Sequence, residues 1–99
     1  MQIDLANEVV RVGGLEALSG GSVPLFKEGV KSKLLPEHRV VEVDLSQVRL
    51  VDSEGLGALI AIRRLIAAQG GKVRLLYPRP SVQQTFDLVQ FERIFEIVH

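Results

Sequence analysis

The sequence predicts a small α/β domain in which a mixed β-sheet has helices packed against it. Short β-prone runs alternate with apolar patterns of helical spacing along most of the chain. Such alternation implies parallel strand pairing with right-handed crossover connections. The length of 99 residues suits one modest hydrophobic core. We therefore expect a single domain over residues 1–99.

The first part of the chain predicts two strands followed by a helix. Met1–Leu5 and Val9–Val12 are β-prone runs separated by a short turn. The glycine-rich stretch 13–22 predicts a loop that ends at Ser22, a candidate helix cap. Apolar residues then recur at helical spacing. The predicted inward face of this first helix comprises Leu25, Phe26, Val30, Leu34 and Leu35.

The middle of the chain predicts a strand and the longest helix. The nearly continuous apolar run over Val40–Leu45 predicts a central strand buried on both faces. Residues 46–51 are expected only to carry the chain out of that strand. Asp52 or Ser53 begins the second helix, and Gly70-Gly71 ends it. Its predicted core contacts are Leu56, Leu59, Ile60, Ile62, Leu65 and Ile66.

The last third predicts a strand, a helix and a final strand. The run over Val73–Leu76 is apolar and β-prone, and the final strand is expected over Phe95–Val98. Ser81 is a candidate cap for the third helix. The predicted inward residues of this helix are Val82, Phe86 and either Leu88 or Val89.

The composition argues against several classes of function. Twelve basic residues balance twelve acidic ones, so the chain has no general attraction for nucleic acid or an anionic membrane. The absence of cysteine excludes disulfides and thiolate metal sites and suits a cytoplasmic location. No apolar run approaches the ~20 residues needed to span a bilayer. We expect no membrane insertion and no direct contact with nucleic acid.

The stretch VDSEGLGALI places an acid, a hydroxyl and a second acid, Asp52-Ser53-Glu54, where a helix begins. A catalytic centre is disfavoured, because neither His38 nor His99 has a carboxylate at triad spacing. No phosphate-binding loop or metal-ligand spacing is present either, so we expect no enzyme activity and no cofactor. The simplest interpretation is a helix cap, worth about 1 kcal/mol.

A modification site is the alternative interpretation of the same triplet. A helix N-terminus presents free N–H groups and tolerates negative charge. A phosphate on Ser53 would add roughly −1.5 to −2 charges without melting the helix, and could reject a docked partner. Gly55 and Gly57 follow directly, and they indicate either close helix packing or a backbone surface open to a partner.

The residues from Val43 to Leu59 resemble the signature of the STAS domain family, the fold of bacterial anti-sigma factor antagonists. The matching motifs are VDLS at 43–46 and DSEGLG at 52–57, and the resemblance extends over about residues 40–98. It implies a STAS-like domain with Ser53 as a phosphoacceptor. A partner that is both anti-sigma factor and GHKL-type serine kinase would modify Ser53 and release the antagonist. A phosphatase would restore binding.

The same resemblance implies a partner-binding surface at the start of the second helix and in the loop after the second strand. Its predicted residues are Asp52, Ser53, Glu54, Leu56, Leu15 and Glu16. Glu54 departs from the family pattern, which commonly has a small or hydroxylated residue there. This departure favours an alternative function: a constitutive STAS subunit of a membrane-associated lipid-transport complex, without phosphorylation.

Overall fold

A computed structural model describes residues 1–99 and has a mixed five-stranded sheet with three α-helices. The strands of this sheet are β1 (Gln2–Ala6), β2 (Val9–Gly13), β4 (Val40–Asp44), β6 (Lys72–Leu76) and β7 (Glu96–Val98). The helices are α1 (Ser22–Lys33), α2 (Ser53–Ala67) and α3 (Pro80–Leu88). Two further strands, β3 (Ala17–Leu18) and β5 (Leu50–Val51), form a separate pair. The predicted α/β class is confirmed.

The strand order in the large sheet is β1-β2-β4-β6-β7. The first two strands are antiparallel, and Ala6 pairs with Val9, so the hairpin loop is Asn7-Glu8. Asn7 has a φ of 54°, a left-handed conformation that asparagine tolerates better than most residues. The other neighbouring strands are parallel. The parallel pairing expected from alternating strands and helices is confirmed.

Strand β4 shows that the sheet has one covered face and one open face. Val41 and Val43 are fully buried, whereas Val40, Glu42 and Asp44 between them are only half-buried. The buried valines belong to one hydrophobic core together with buried residues from all three helices. The prediction that this strand is buried on both faces is wrong, because the helices pack against only one side of the sheet.

The open face carries a row of charges whose sign alternates from strand to strand. Across the five strands the row reads Asp4, Arg11, Glu42, Arg74 and Glu96. Arg74 lies between two carboxylates, with Nη1 at 3.3 Å from Glu42 Oε2 and Nε at 2.7 Å from Glu96 Oε2. Lys72 Nζ lies 2.8 Å from Glu96 Oε1. This part of the face therefore carries paired charges and no layer of helices.

Glu96 should make stability depend on pH. The hydrogen bond from Lys72, aided by the positive charges of Arg74 and Lys72, lowers the pKa of Glu96 below its usual value of 4.5. A lowered folded-state pKa stabilises the fold above the unfolded value, and this contribution disappears as pH falls through the folded value. The stability difference between wild type and Glu96→Gln should therefore be largest near neutral pH. It should shrink toward zero as the pH falls below 4.5.

Thermal melts from pH 7 to pH 3 measure this difference, with Glu92→Gln as a control for an exposed acid that has no ion pair. High salt should reduce the Glu96 effect, because it screens exposed charges. A difference that persists unchanged at pH 3 would contradict the ion-pair explanation.

Two predictions for α1 are wrong. Its N-cap is Gly21, and Ser22 is the first helical residue. The single proton of the Ser22 hydroxyl is instead shared between Ala17 O at 3.0 Å and Ser19 O at 2.8 Å, which ties the helix to the preceding turn. Leu25 is 70% exposed, and Leu35 is also exposed, because the face that packs on the core is formed by Val23, Phe26 and Val30.

Helix α2 ends as predicted, since Gly70 has a φ of 76° and Gly71 N donates to Ile66 O at 2.8 Å. Fewer of its predicted core residues are fully buried than expected. Leu59, Ile62 and Ile66 are buried, but Leu65 is 37% exposed. Leu56 and Ile60 are half-buried and pack against the core.

Helix α3 begins two residues earlier than predicted, because Arg79 is its N-cap and Pro80 is its first residue, so Ser81 is not the cap. Val82 and Phe86 face inward as expected. Leu88 is 85% exposed and Val89 is exposed, which contradicts the prediction for them. The core beside α3 contains the ring cluster Phe86, Phe91 and Phe95, whose neighbouring centroids lie 5.2 and 4.7 Å apart.

Candidate functional site

The start of α2 is held in place by the side chain of Asp52. Its Oδ1 accepts a hydrogen bond from Gly55 N at 2.8 Å, which makes Asp52 the N-cap. Its Oδ2 accepts a second hydrogen bond from Gly20 N at 3.1 Å. The backbone N–H of Asp52 donates to Leu18 O at 3.2 Å. Asp52 therefore joins the helix start to the segment that follows β3, and the predicted cap is confirmed.

Ser53 is the first residue of α2, and its side chain is exposed. Its hydroxyl makes no hydrogen bond within the protein, in contrast to the neighbouring carboxylate of Asp52. Glu54 follows on the same exposed turn. The Ser53 hydroxyl is thus accessible from solvent beside the positive end of a 15-residue helix.

His38 lies far from Ser53. His38 is 2% exposed, and its Nδ1 accepts a hydrogen bond from Leu35 N at 2.9 Å. Its carbonyl oxygen accepts a hydrogen bond from Gln69 Nε2 at 2.8 Å, just beyond the C-terminal end of α2. The length of α2, about 20 Å, separates that position from Ser53. His38 therefore has a structural role in the turn before β4.

The two glycines of the motif have different surroundings. A Cβ on Gly55 would overlap the carbonyl oxygen of Leu18, so glycine is needed for close packing of α2 on β3. A Cβ on Gly57 would meet no atom within 4 Å. Gly57 lies beside a groove of about 510 Å³ between α1 and α2, lined by Val23, Pro24, Lys27, Glu28, Glu54, Gly57 and Ala58.

The loop after β2 is less irregular than predicted, because it contains β3. The two-residue ladder pairs Ala17 with Leu50 and Leu18 with Val51 in parallel. Sequence reasoning missed this pair, as well as the contact from Gly20 to Asp52. The sequence feature that could have indicated this turn is the glycine-rich run around Gly20. The φ of Gly20 is 51°, a conformation that glycine adopts readily.

The structure places the two predicted parts of the partner surface at the two ends of the short β3–β5 ladder. Leu15 is 6% exposed and belongs to the core, so its side chain cannot contact a partner without leaving the core. Glu16 is exposed, but its carbonyl oxygen accepts from Arg49 N at 3.0 Å. That position lies at the opposite end of the β3–β5 ladder from Asp52. Leu56 is half-buried beside the exposed pair Ser53 and Glu54.

Two further features bear on function. None of the α-helices combines the length and the apolar character that a bilayer crossing needs. No three histidine, aspartate or glutamate side chains are grouped as metal ligands.

Comparison with known proteins identifies the family. A Thermotoga maritima protein described as a candidate anti-sigma factor antagonist is 28% identical over 94 residues, which cover 94% of this chain and 83% of that protein. The crystal structure of a candidate antagonist from Thermotoga maritima superposes with a TM-score of 0.87 at 25% identity, covering 99% of this chain and 85% of the other. The anti-sigma factor antagonist SpoIIAA in its unphosphorylated form has the same fold, with a TM-score of 0.79, 19% identity and coverage of 99% and 87%. The STAS domain pattern matches residues 6–99, and the chain therefore belongs to the STAS domain family.

Proposed function

We propose that this protein is an anti-sigma factor antagonist whose partner binding is controlled by phosphorylation of Ser53. Family membership and the descriptions of similar proteins support the antagonist role. The observation that supports a phosphorylation switch is that Asp52 and Ser53 have different roles at the start of α2. Asp52 provides the cap, which leaves the exposed Ser53 hydroxyl without a structural role.

This arrangement lets a phosphate be added without loss of the fold. Both hydrogen bonds of the Asp52 carboxylate are independent of the Ser53 hydroxyl. A phosphate of roughly −1.5 to −2 charges would be stabilised by the free N–H groups of the helix start. Together with Glu54 it would make this surface strongly negative. A partner that docks closely there would then be repelled.

The proposed partner surface combines Ser53, Glu54, the half-buried Leu56 and the groove beside Gly57. Its partner is an anti-sigma factor that is also a serine kinase of the GHKL type, and a phosphatase returns the antagonist to its binding form. The Leu15 side chain is buried, so the proposed surface does not include it.

Phosphosite mapping by mass spectrometry tests the switch on protein isolated from its native host across growth conditions. We expect a phosphate on Ser53 whose occupancy changes with conditions and which is absent in a Ser53→Ala strain. Ser81, an exposed serine at the start of α3, is the internal control and should stay unmodified. A Ser53 that is unmodified in every condition would overturn the proposal.

The alternative function is a constitutive STAS subunit of a membrane-associated lipid-transport complex. It is favoured by Glu54, which puts a permanent negative charge on the turn of Ser53 and on the wall of the α1–α2 groove. Affinity purification distinguishes the two functions, because a serine kinase should copurify with an antagonist and a transport ATPase with the subunit.

A further inference from the structure

A polar cleft of about 640 Å³ lies at the end of the β3–β5 ladder opposite Asp52. We call it the arginine cleft, and it is lined by Glu16, Ala17, Gln47, Arg49 and Arg79. Arg49 comes just before β5, and Arg79 comes just before α3. Three separate segments of the chain therefore contribute polar side chains to one depression.

The two arginines of the arginine cleft have no carboxylate partner. The ion pairs of the structure all lie on the open sheet face and involve Lys72 and Arg74. The Arg49 and Arg79 side chains are exposed and take part in none of them. Arg79 is nevertheless oriented, because its Nε donates to Ser46 O at 3.0 Å. That bond leaves both terminal amino groups of its guanidinium free to bind a ligand.

The charge of the lining indicates the class of ligand. Two arginines and one glutamate give the lining a formal charge of +1, so the cleft attracts an anionic ligand. No aromatic side chain lines the cleft, so a nucleotide base would find no stacking surface. A guanidinium can form two parallel hydrogen bonds with one carboxylate, and the Gln47 amide adds both a donor and an acceptor.

We propose that the arginine cleft binds an acidic segment of a protein partner. Arg49 and Arg79 donate hydrogen bonds to the carboxylates of this segment, and the Glu16 carboxylate weakens the binding by repelling them. This contact does not rest on phosphorylation of Ser53. It would supply the charge complementarity that orients a partner and speeds its encounter.

The test is an NMR titration of the ¹⁵N-labelled full chain with the peptide acetyl-Gly-Glu-Asp-Glu-Gly-amide. We expect saturable shifts of the backbone amides at positions 16–17, 47–49 and 79. Arg49→Gln and Arg79→Gln should each weaken the peptide affinity about three- to fivefold, as for exposed ion pairs. Glu16→Gln should act in the opposite direction and tighten binding about twofold.

Arg64→Gln is the matched control, because Arg64 is an exposed arginine on α2 outside the cleft, and it should leave the affinity unchanged. Well-dispersed spectra of each variant establish that it is folded. Shifts of the backbone amides at every basic residue would overturn the proposal, and so would an equal weakening of the peptide affinity by Arg64→Gln. Pyrophosphate that binds the same amides more tightly than the peptide would also overturn it in favour of a phosphate ligand.

Discussion

Gly55→Ala should destabilise the fold by about 3 kcal/mol, the upper part of the range for overpacking. The added Cβ would overlap the carbonyl oxygen of Leu18 and lie 2.9 Å from its carbonyl carbon. Both are backbone atoms, so no side-chain rotation can relieve the clash. The Leu18 backbone is also held by pairing with Val51 and by the hydrogen bond from Asp52 N. Helix α2 would have to move away from β3.

Urea unfolding measures this loss, and Gly57→Ala is the matched control two residues further along the same helix. Its Cβ meets no atom within 4 Å, and alanine is favoured over glycine inside a helix by roughly 0.5–1 kcal/mol. The two substitutions should therefore change stability in opposite directions. Equal effects, or a Gly55→Ala variant as stable as wild type, would contradict the close contact between α2 and β3.

Ser53→Asp should weaken binding of the anti-sigma factor at least about tenfold, which corresponds to roughly 1.4 kcal/mol. Juxtaposed like charges or an unpaired buried charge cost an interface several kcal/mol. The new carboxylate would stand beside Glu54 on the exposed first turn of α2. Ser53→Ala should fold normally and keep binding, because the Ser53 hydroxyl makes no hydrogen bond within the protein and Asp52 keeps the cap.

The partner can be isolated with the Ser53→Ala protein as bait and its affinity then measured by calorimetry for each variant. Ser81→Asp is the control for charge, since Ser81 is an exposed residue in the first turn of α3. It adds the same carboxylate at another helix start and should bind like wild type. Binding of the Ser53→Asp protein at wild-type strength would contradict a charge-controlled interface, and so would equal loss with Ser81→Asp.

Local patterns in the sequence determined the α/β class, the hairpin, and the start and end of α2. Each depends on neighbouring residues. Alternating strand and helix patterns imply parallel pairing, Asp52 has the chemistry of a cap, and a glycine such as Gly70 adopts the positive φ that ends a helix. The family resemblance likewise lies in one continuous segment, which explains why residues 52–57 pointed to the correct family.

Contacts between distant segments decided the pairing of β3 with β5, the burial of individual leucines and the position of the arginine cleft. Strands β3 and β5 have two residues each, too few for any periodic pattern, and they exist because their backbones pair with each other. Leu15 and Leu88 are both leucines next to an acidic residue, yet Leu15 is in the core and Leu88 is exposed. Only the packing of all three helices on one sheet face distinguishes them, because burial is a property of the assembled layers. The same long-range packing brings Arg49 and Arg79 to one cleft.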